Sequence, residues 1–254
     1  MATIDLNSDM GESFGVWTLG DDEAMLDVVT SANVACGFHA GDPLTLLDTV
    51  RKAHQRGVVV GAQPGYRDLA GFGRRPLGAS GREVYGDVLY QLGALRGIAR
   101  AVGTDIRYVK PHGALYNTIA SDDEHAPAVI DAIGDFDPTL KVVGLARSKF
   151  VHRAAEQGLS TIAEAFADRA YTPFGTLVDR RDEGAVFTDP DEVADRMLRL
   201  VTEREIIAVD GRIVMVDADS ICVHSDTPGA VEMARRVRRT VEAAGIEIRA
   251  FAWK

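Results

Sequence analysis

The chain has 254 residues, of which 46% are hydrophobic and 26% are charged, and its formal net charge is −10. This length can bury a large core in one α/β barrel or in two smaller domains. The acidic balance excludes nonspecific nucleic-acid binding, which depends on a positive surface field. No apolar run is long enough to span a membrane.

The N-terminus, MATIDLNSDMGE, lacks the basic and apolar regions of a secretory signal peptide. Cys36 and Cys222 each follow apolar, strand-like residues and show no CxxC spacing. We interpret them as reduced, buried thiols and expect a cytoplasmic protein.

Short apolar runs rich in β-branched residues predict strands that are buried on both faces. The predicted strands are 3–7, 31–36, 57–62, 105–110, 141–145, 160–163, 219–224 and 246–251. Helical patterns lie between them, most clearly over 82–102 and 228–244, and a glycine follows each of these two. The alternation predicts one domain, 1–254, built as a barrel of seven or eight parallel strands, with a doubly wound open sheet as the alternative.

Helix starts are also predicted by local sequence. Asp42-Pro43, Asp189-Pro190 and Thr227-Pro228 each combine a capping side chain with a proline suited to the first turn. Residues 121–124 (SDDE) predict a capping box. Helices that begin where strands end present partly positive N-termini to one rim, which favours an anionic ligand there.

Two stretches break the alternation. Residues 206–216 place Asp210-Gly211 between two apolar runs, which predicts a hairpin. Residues 164–189 fit neither the helical nor the strand period, and we expect this long loop to act as a lid.

Four strand-like runs end in clusters of catalytic-type residues. These runs are IDLNSDMGE (4–12), ANVACGFHAGD (32–42), RYVKPHGALYN (107–117) and SICVHSDTPG (220–229). The C-terminal ends of parallel strands share one rim, where α/β enzymes build their active sites. We therefore expect the four clusters to contribute to a site at that rim.

The first cluster supplies Asp5, Asn7, Asp9 and Glu12, and the first three share one face of a strand. Crowded carboxylates shift each other's pKa, which suits acid/base catalysis or metal binding. The alternative is that Asp9 and Glu12 only cap a turn around Gly11.

The second and third clusters supply His39, which lies between glycines, and Lys110, which ends an apolar strand. His112 follows Lys110 by two residues and is expected to point to the same side. Asp42 suits both a helix cap and a ligand contact. A surface position for Lys110 is the structural alternative to substrate contact.

The fourth cluster supplies His224 and Asp226. Three histidines at strand ends leave open a divalent-metal site, formed by His39, His112 and His224 with Asp5 or Asp9, although no HxH or HExxH spacing supports it. Further candidates for substrate binding follow the third and sixth strands: Arg74, Arg75, Glu164, Asp168 and Arg169. The chain contains no GxxxxGK[ST] and no GxGxxG after a strand, so any ATP is expected to be bound by another chain.

The motifs DLNSDMGESFG, NVACGFHAGDP, PGYRDLAGFGRR, VKPHGALYN, AEAFADRAY and SICVHSDTPGA together resemble the LamB/YcsF family. The resemblance runs in order from residue 3 to the last helix. It implies a distorted barrel of seven parallel strands, related to the glycoside hydrolase/deacetylase fold.

The family includes one component of the bacterial ATP-dependent 5-oxoprolinase. The resemblance therefore implies hydrolysis of the 5-oxoproline lactam to L-glutamate, driven by ATP together with partner subunits B and C. We expect Asp9 or Asp5 with His39 to activate water, and Lys110 and His112 to stabilise negative charge on a small anionic substrate. A metal-dependent deacetylase of an N-acylated sugar is the alternative, and assembly into a homo-oligomer is also open.

The chain departs from the family pattern at three positions. Ser8 stands where the family often has cysteine, Gln63 where it often has histidine, and Ser225 where it often has glycine. Gln63 matters most, because it removes a possible base or metal ligand from the end of the third strand.

Overall fold

Strands alternate with helices throughout residues 2–227 and 229–252, the parts of the chain that the computed structural model describes. The strands are β1 (Thr3–Met10), β2 (Ser31–Ala35), β3 (Val59–Gln63), β4 (Tyr108–Val109), β5 (Lys141–Leu145), β6 (Thr161–Phe166), β7 (Glu205–Ile207), β8 (Ile213–Met215), β9 (Ser220–Cys222) and β10 (Glu247–Ile248). The helices are α1 (Asp22–Leu26), α2 (Pro43–Gln55), α3 (Gly81–Val102), α4 (Gly113–Ile119), α5 (His125–Phe136), α6 (Lys149–Glu156), α7 (Pro190–Glu203) and α8 (Ala230–Ala243).

Seven parallel strands close into a barrel. The strands β1 to β6 pair in sequence order, β6 pairs with β9, and β9 returns to β1 to complete the ring. β10 extends the sheet beside the N-terminal end of β1. This closure confirms the predicted parallel barrel and excludes the open doubly wound sheet.

All eight predicted parallel strands are present. β5 spans the predicted 141–145, and the other seven have shifted ends. β4 and β10 differ most, and β4 was expected over 105–110 but has regular pairing only at Tyr108–Val109. Backbone hydrogen bonds from Arg107 to Val60 and from Lys110 to Ala62 nevertheless continue its alignment with β3. Lys110 therefore keeps the inward direction that a longer strand would have given it.

The main apolar core lies between the barrel and the surrounding helices. On α3 the buried stripe includes Val84, Val88, Leu92 and Leu95, as the helical period predicts. The helix ends at Gly103, whose φ of 93° is the left-handed conformation that glycine adopts without strain. A second small cluster of Tyr108, Val143 and Ile162 is separate from this core.

Helix caps agree with the sequence at two positions. Asp42 accepts hydrogen bonds from the backbone of Leu44 and Thr45, and Asp189 caps α7 in the same way. The Thr227-Pro228 prediction falls partly on Pro228, which lies outside the described residues.

The capping box expected at residues 121–124 is wrong. Glu124 is the N-cap residue of α5, and Asp122, which precedes it, accepts from the backbone N–H groups of Glu124 and His125. A reciprocal capping box does form at the start of α3, between Ser80 and Glu83. Residues 80–83 and 121–124 both have a glutamate three residues after a serine. Only the position at which the helix starts decides which of the two segments forms the capping box.

Residues 205–215 form an antiparallel hairpin of β7 and β8, whose turn contains Gly211 at a φ of 83°. The long loop between β6 and α7 is held by isolated bridges of Arg169 with Val186 and of Tyr171 with Leu177. Several of its side chains are buried, and its action as a lid stays a prediction. Within the two described ranges, no helix has the length and apolar character that a membrane crossing requires.

Gly61 allows the fully buried Tyr108 ring to pack directly on β3, and a Cβ atom at residue 61 would overlap that ring. We expect Gly61→Ala to lower the free energy of unfolding by about 1–3 kcal/mol, as overpacking does. The matched control is Gly93→Ala, where a Cβ meets open space on α3 and should stabilise the helix by up to about 1 kcal/mol. Urea denaturation measures both, and equal effects would contradict this account of the contact.

Candidate active site

The interior of the barrel is polar. Asp5 is the charged group of the site that lies farthest from the rim, and it is 1% exposed. The Asp5 carboxylate accepts hydrogen bonds from Thr30 Oγ1 at 2.7 Å, from Ser31 Oγ at 2.6 Å and from Ser220 Oγ. Burial raises the pKa of Asp5 to about 6, against the opposing effect of these hydroxyl donors.

Lys110 lies one layer nearer the rim and is 2% exposed. Its Nζ is 2.8 Å from Glu164 Oε1, 3.3 Å from Asp9 Oδ1, 3.2 Å from Asn7 Oδ1 and 3.0 Å from Cys222 Sγ. Burial disfavours the ammonium, but the neighbouring carboxylates outweigh it and raise the pKa of Lys110 well above its usual value. Lys110 is therefore a permanently charged group with all its donors engaged.

Asn33 orients the groups around this lysine. Its Nδ2 donates to Asn7 Oδ1 at 2.7 Å and to Asp9 Oδ1 at 2.8 Å. Tyr108 Oη donates to Asn33 Oδ1 at 2.7 Å, which fixes the direction of the amide. Burial raises the pKa of Asp9, but the ammonium of Lys110 outweighs burial and the overall pKa lies below its ordinary value. Asp9 is thus a fixed anion.

Glu164 is fully buried. Its carboxylate forms an ion pair with Lys110 and accepts hydrogen bonds from two further side chains. Asn7 Nδ2 donates to Glu164 Oε1 at 2.9 Å, and Tyr116 Oη donates to Glu164 Oε2 at 2.8 Å. Both carboxylate oxygens are thereby occupied. Glu164 balances the charge of Lys110 rather than facing the rim.

Glu12, His39 and His112 form a second group, on the turns that follow β1, β2 and β4. Glu12 Oε1 is 3.6 Å from His112 Nε2 and 4.0 Å from His39 Nε2. The two imidazole rings stack with centroids 3.9 Å apart and an interplanar angle of 11°. One carboxylate oxygen and two imidazole nitrogens therefore converge at one point.

Burial determines the protonation of this group. It lowers the pKa of His39 to about 4 and that of His112 well below its usual value, so both rings are neutral near pH 7. It also raises the pKa of Glu12 well above the ordinary value, with a further contribution from Asp9. Neutral imidazoles offer lone pairs to a metal or to a substrate N–H.

His224 forms a dyad with Asp168. Its Nδ1 is 2.8 Å from both Asp168 carboxylate oxygens, and its ring stacks on Phe166 at a centroid distance of 5.4 Å. The carboxylate fixes which ring nitrogen carries the proton and leaves Nε2 as the reactive atom. Such a pair can accept a proton from water and then return it.

Two arginines from different loops meet at Asp226 on the rim. Arg74 Nη2 is 2.5 Å and Arg180 Nη2 is 3.3 Å from the Asp226 carboxylate. Arg74 also lies over the Phe72 ring, 4.9 Å from its centroid. Two guanidinium groups against one carboxylate leave a positive charge for an anionic ligand.

Three of the predicted substrate-binding residues have other partners. Asp42 caps α2 and also accepts from Gly15 N, and Arg75 pairs with Asp68. Arg169 donates to the backbone carbonyls of Ala185 and Val178 within its own loop. These contacts favour structural roles for all three side chains.

Sequence reasoning missed several residues that organise the site. Asn33 donates a hydrogen bond to Asp9, and Tyr108 donates to Asn33. Tyr116 donates to Glu164, and Ser220 donates to Asp5. The period-2 pattern could have found two of them, because Asn33 and Ser220 lie on the inward faces of their strands. The contacts of the tyrosine hydroxyls depend on tertiary packing, for which the sequence gives no signal.

Comparisons with known proteins agree on one family. A profile of the LamB/YcsF family matches residues 4–254. A protein of Pseudomonas syringae pv. tomato, named as an A subunit of 5-oxoprolinase, is 59% identical over 254 residues, covering 100% of this chain and 99% of the relative.

Two solved structures are also similar. The lactam utilization protein from Thermus thermophilus has a TM-score of 0.93 and 47% identity, covering 98% of this chain and 100% of the other. A family 4 carbohydrate esterase from Streptomyces lividans has a TM-score of 0.50 and 11% identity, covering 97% and 91%. The second similarity concerns the fold alone.

The raised pKa of Asp5 makes stability depend on pH. Between its ordinary value of 3.8 and its folded value of about 6, the unfolded chain releases the proton while the folded protein keeps it. Stability from this group is therefore present at low pH and is lost as pH rises through about 6, by about 3 kcal/mol. Asp5→Asn should remove that loss.

The measurement is the free energy of unfolding, from urea titrations at pH 4.5 and pH 7. It is made on the unaltered protein, on Asp5→Asn and on Asp195→Asn, a control at an exposed residue. The difference in stability between the two pH values should shrink in Asp5→Asn and stay as in the unaltered protein for Asp195→Asn. An unchanged pH dependence in Asp5→Asn would contradict the raised pKa.

Proposed function

The chain belongs to the LamB/YcsF family, and we propose that it is the A subunit of an ATP-dependent 5-oxoprolinase. In this reaction the lactam of 5-oxo-L-proline is hydrolysed to L-glutamate. The observation that carries the proposal is identity of 59% over the full length to a protein that bears this name. The likeness to a lactam utilization protein supports the same substrate class.

The name of the relatives implies a complex with other chains, and the residues fit a division of labour. The sequence has neither of the common glycine-rich nucleotide motifs. We assign ATP binding to partner subunits B and C and hydrolysis to this barrel. The free, buried cysteines Cys36 and Cys222 suit the reducing cytoplasm as the place of action.

The arginine pair on the rim suits the substrate. 5-Oxoproline carries one carboxylate, and Arg74 with Arg180 offers two guanidinium groups that Asp226 only partly neutralises. A carboxylate held there places the lactam ring over the buried polar groups of the mouth. The arginines supply binding, and the groups beneath them supply chemistry.

The dyad of Asp168 and His224 suits the proton transfers of lactam hydrolysis. ATP would activate the amide by phosphorylating its oxygen on the partner subunits. His224 Nε2 would take a proton from the attacking water and later return it to the ring nitrogen as the C–N bond breaks. The acyl phosphate that remains would lose phosphate to a second water and leave L-glutamate.

We propose a part for Lys110 that differs from the one that the sequence predicts. Its ammonium is already in contact with Asp9, Glu164, Asn7 and Cys222, so no N–H is free for an oxyanion. We assign it to holding Asp9 as a fixed anion below the mouth. We assign His39 and His112, which have unpaired ring nitrogens, to contact with the reacting group instead.

The deacetylase alternative rests on the fold alone. The carbohydrate esterase is 11% identical to this chain, so its chemistry does not transfer. An assay separates the two functions, because a deacetylase needs no ATP and no partner. We expect glutamate and phosphate only when this chain, ATP and subunits B and C are combined, and turnover of an N-acetylated sugar by this chain alone would overturn the proposal.

The dyad is tested by Asp168→Asn in the assembled complex. An amide cannot hold the imidazole in the same proton state, so kcat should fall by about 10²–10⁴-fold while KM changes little. Asp179→Asn, an exposed site on the same loop, is the matched control and should keep normal kcat. Equal rates for Asp168→Asn and the control would remove His224 from the mechanism.

The rim is tested by Arg74→Lys. Lysine keeps the charge but loses the planar fork, so KM for 5-oxoproline should rise about tenfold with kcat nearly unchanged. Arg75→Lys is the neighbouring control, because Arg75 pairs with Asp68 instead. A KM that rises equally in both variants would argue against Arg74 as a substrate contact.

A further inference from the structure

Unpaired buried polar atoms are concentrated in one place. Among the described residues, every buried side-chain nitrogen or oxygen without a hydrogen-bond partner, apart from Arg196 Nε, belongs to Glu12, His39, Gln63 or His112. Such atoms are rare in folded proteins, because each loses its hydration without compensation. Their convergence points to a ligand that binds there.

We propose that Glu12 Oε1, His39 Nε2 and His112 Nε2 bind one divalent transition-metal ion of the zinc type. The role of the metal in catalysis rests on the proposed function, whereas metal binding itself does not depend on that function. Two imidazoles and one carboxylate are a donor set that zinc prefers in catalytic sites.

The distances fit such an ion. Tetrahedral bonds of about 2.1 Å separate neighbouring donor atoms by about 3.4 Å. Glu12 Oε1 lies 3.6 Å and 4.0 Å from the two histidine nitrogens. One donor atom from each of the three residues lies within 4.8 Å of the other two, so a rearrangement of the side chains can bring all three onto one ion.

Binding also requires one imidazole to turn. The rings are nearly parallel, with an interplanar angle of 11°, whereas a metal bonds in the plane of each ring. The torsion about the Cβ–Cγ bond of histidine is broad and shallow, so the turn is energetically modest.

Two glycines allow the imidazole rings to lie this close to the backbone. A Cβ atom at Gly65 would lie 2.6 Å from His39 Nδ1, and one at Gly73 would lie 2.9 Å from His112 Nδ1. Gln63 lies beside His39, and its amide oxygen can accept the remaining ring N–H once the ring has turned.

The basic side chains around the mouth are engaged with other carboxylates. Lys110 pairs with Asp9 and Glu164, and Arg74 and Arg180 pair with Asp226. None of the three basic groups pairs directly with Glu12 within the described residues.

Three protein ligands leave at least one coordination position open. In the proposed reaction, a metal there would polarise the oxygen that develops negative charge as water attacks. The absence of a histidine at residue 63 does not prevent this, because Glu12 supplies the third ligand.

The test is metal content. The chain is prepared without a histidine tag, stripped with a chelator, incubated with ZnCl₂ or MnCl₂, desalted and analysed by mass spectrometry. We expect about one ion per chain, and a loss of affinity of at least about 100-fold in Glu12→Gln and His112→Asn. His54→Asn, an exposed histidine on α2, is the control and should bind normally.

Thermal unfolding of each variant tests whether a loss of metal binding comes from misfolding. The metal should raise the melting temperature of the unaltered chain and of His54→Asn, but not that of well-folded Glu12→Gln. Binding below one tenth of an ion per chain, or equal binding by Glu12→Gln, would overturn the site.

Activity of the assembled complex separates this inference from the proposed function. With Mg²⁺ in excess for ATP, full glutamate formation by protein freed of zinc and manganese would overturn the metal's role and leave the function standing. One ion bound per chain without any glutamate formation would keep the site and refute the function.

Discussion

The ammonium of Lys110, buried between the carboxylates of Glu164 and Asp9, is the interaction on which the site depends. A buried charge without a partner is strongly destabilising, so the barrel interior must supply compensating groups. Glu164 is 2.8 Å away, and Asn7 and Tyr116 hold that carboxylate in place. The same lysine keeps Asp9 ionised at the base of the mouth, which joins the interior of the barrel to its reactive rim.

Much of this arrangement follows from simple rules of sequence. Asp5, Asn7 and Asp9 share one face because side chains alternate along a strand, and Lys110 points inward for the same reason. Parallel strands then bring the ends of β1, β2, β4 and β9 to one rim. The fold and the shared position of the four clusters were therefore predictable without coordinates.

Other parts of the site were not predictable, and the reasons are physical. Arg74 and Arg75 are adjacent and chemically identical, yet one reaches Asp226 and the other pairs with Asp68. The backbone conformation of their loop decides this, and no propensity encodes it. The metal set suggested by the sequence included His224, whereas Asp168 binds that ring and Glu12 takes its place beside His39 and His112.

The four strand ends form one mouth, and we propose that its rim binds the carboxylate of 5-oxoproline while the groups below it carry out hydrolysis. The most direct measurement is a crystal structure of the chain with 5-oxo-L-proline bound. We expect the carboxylate within hydrogen-bonding distance of Arg74 and the lactam carbonyl carbon beside His224 Nε2. Binding of the ligand outside this mouth would contradict the account.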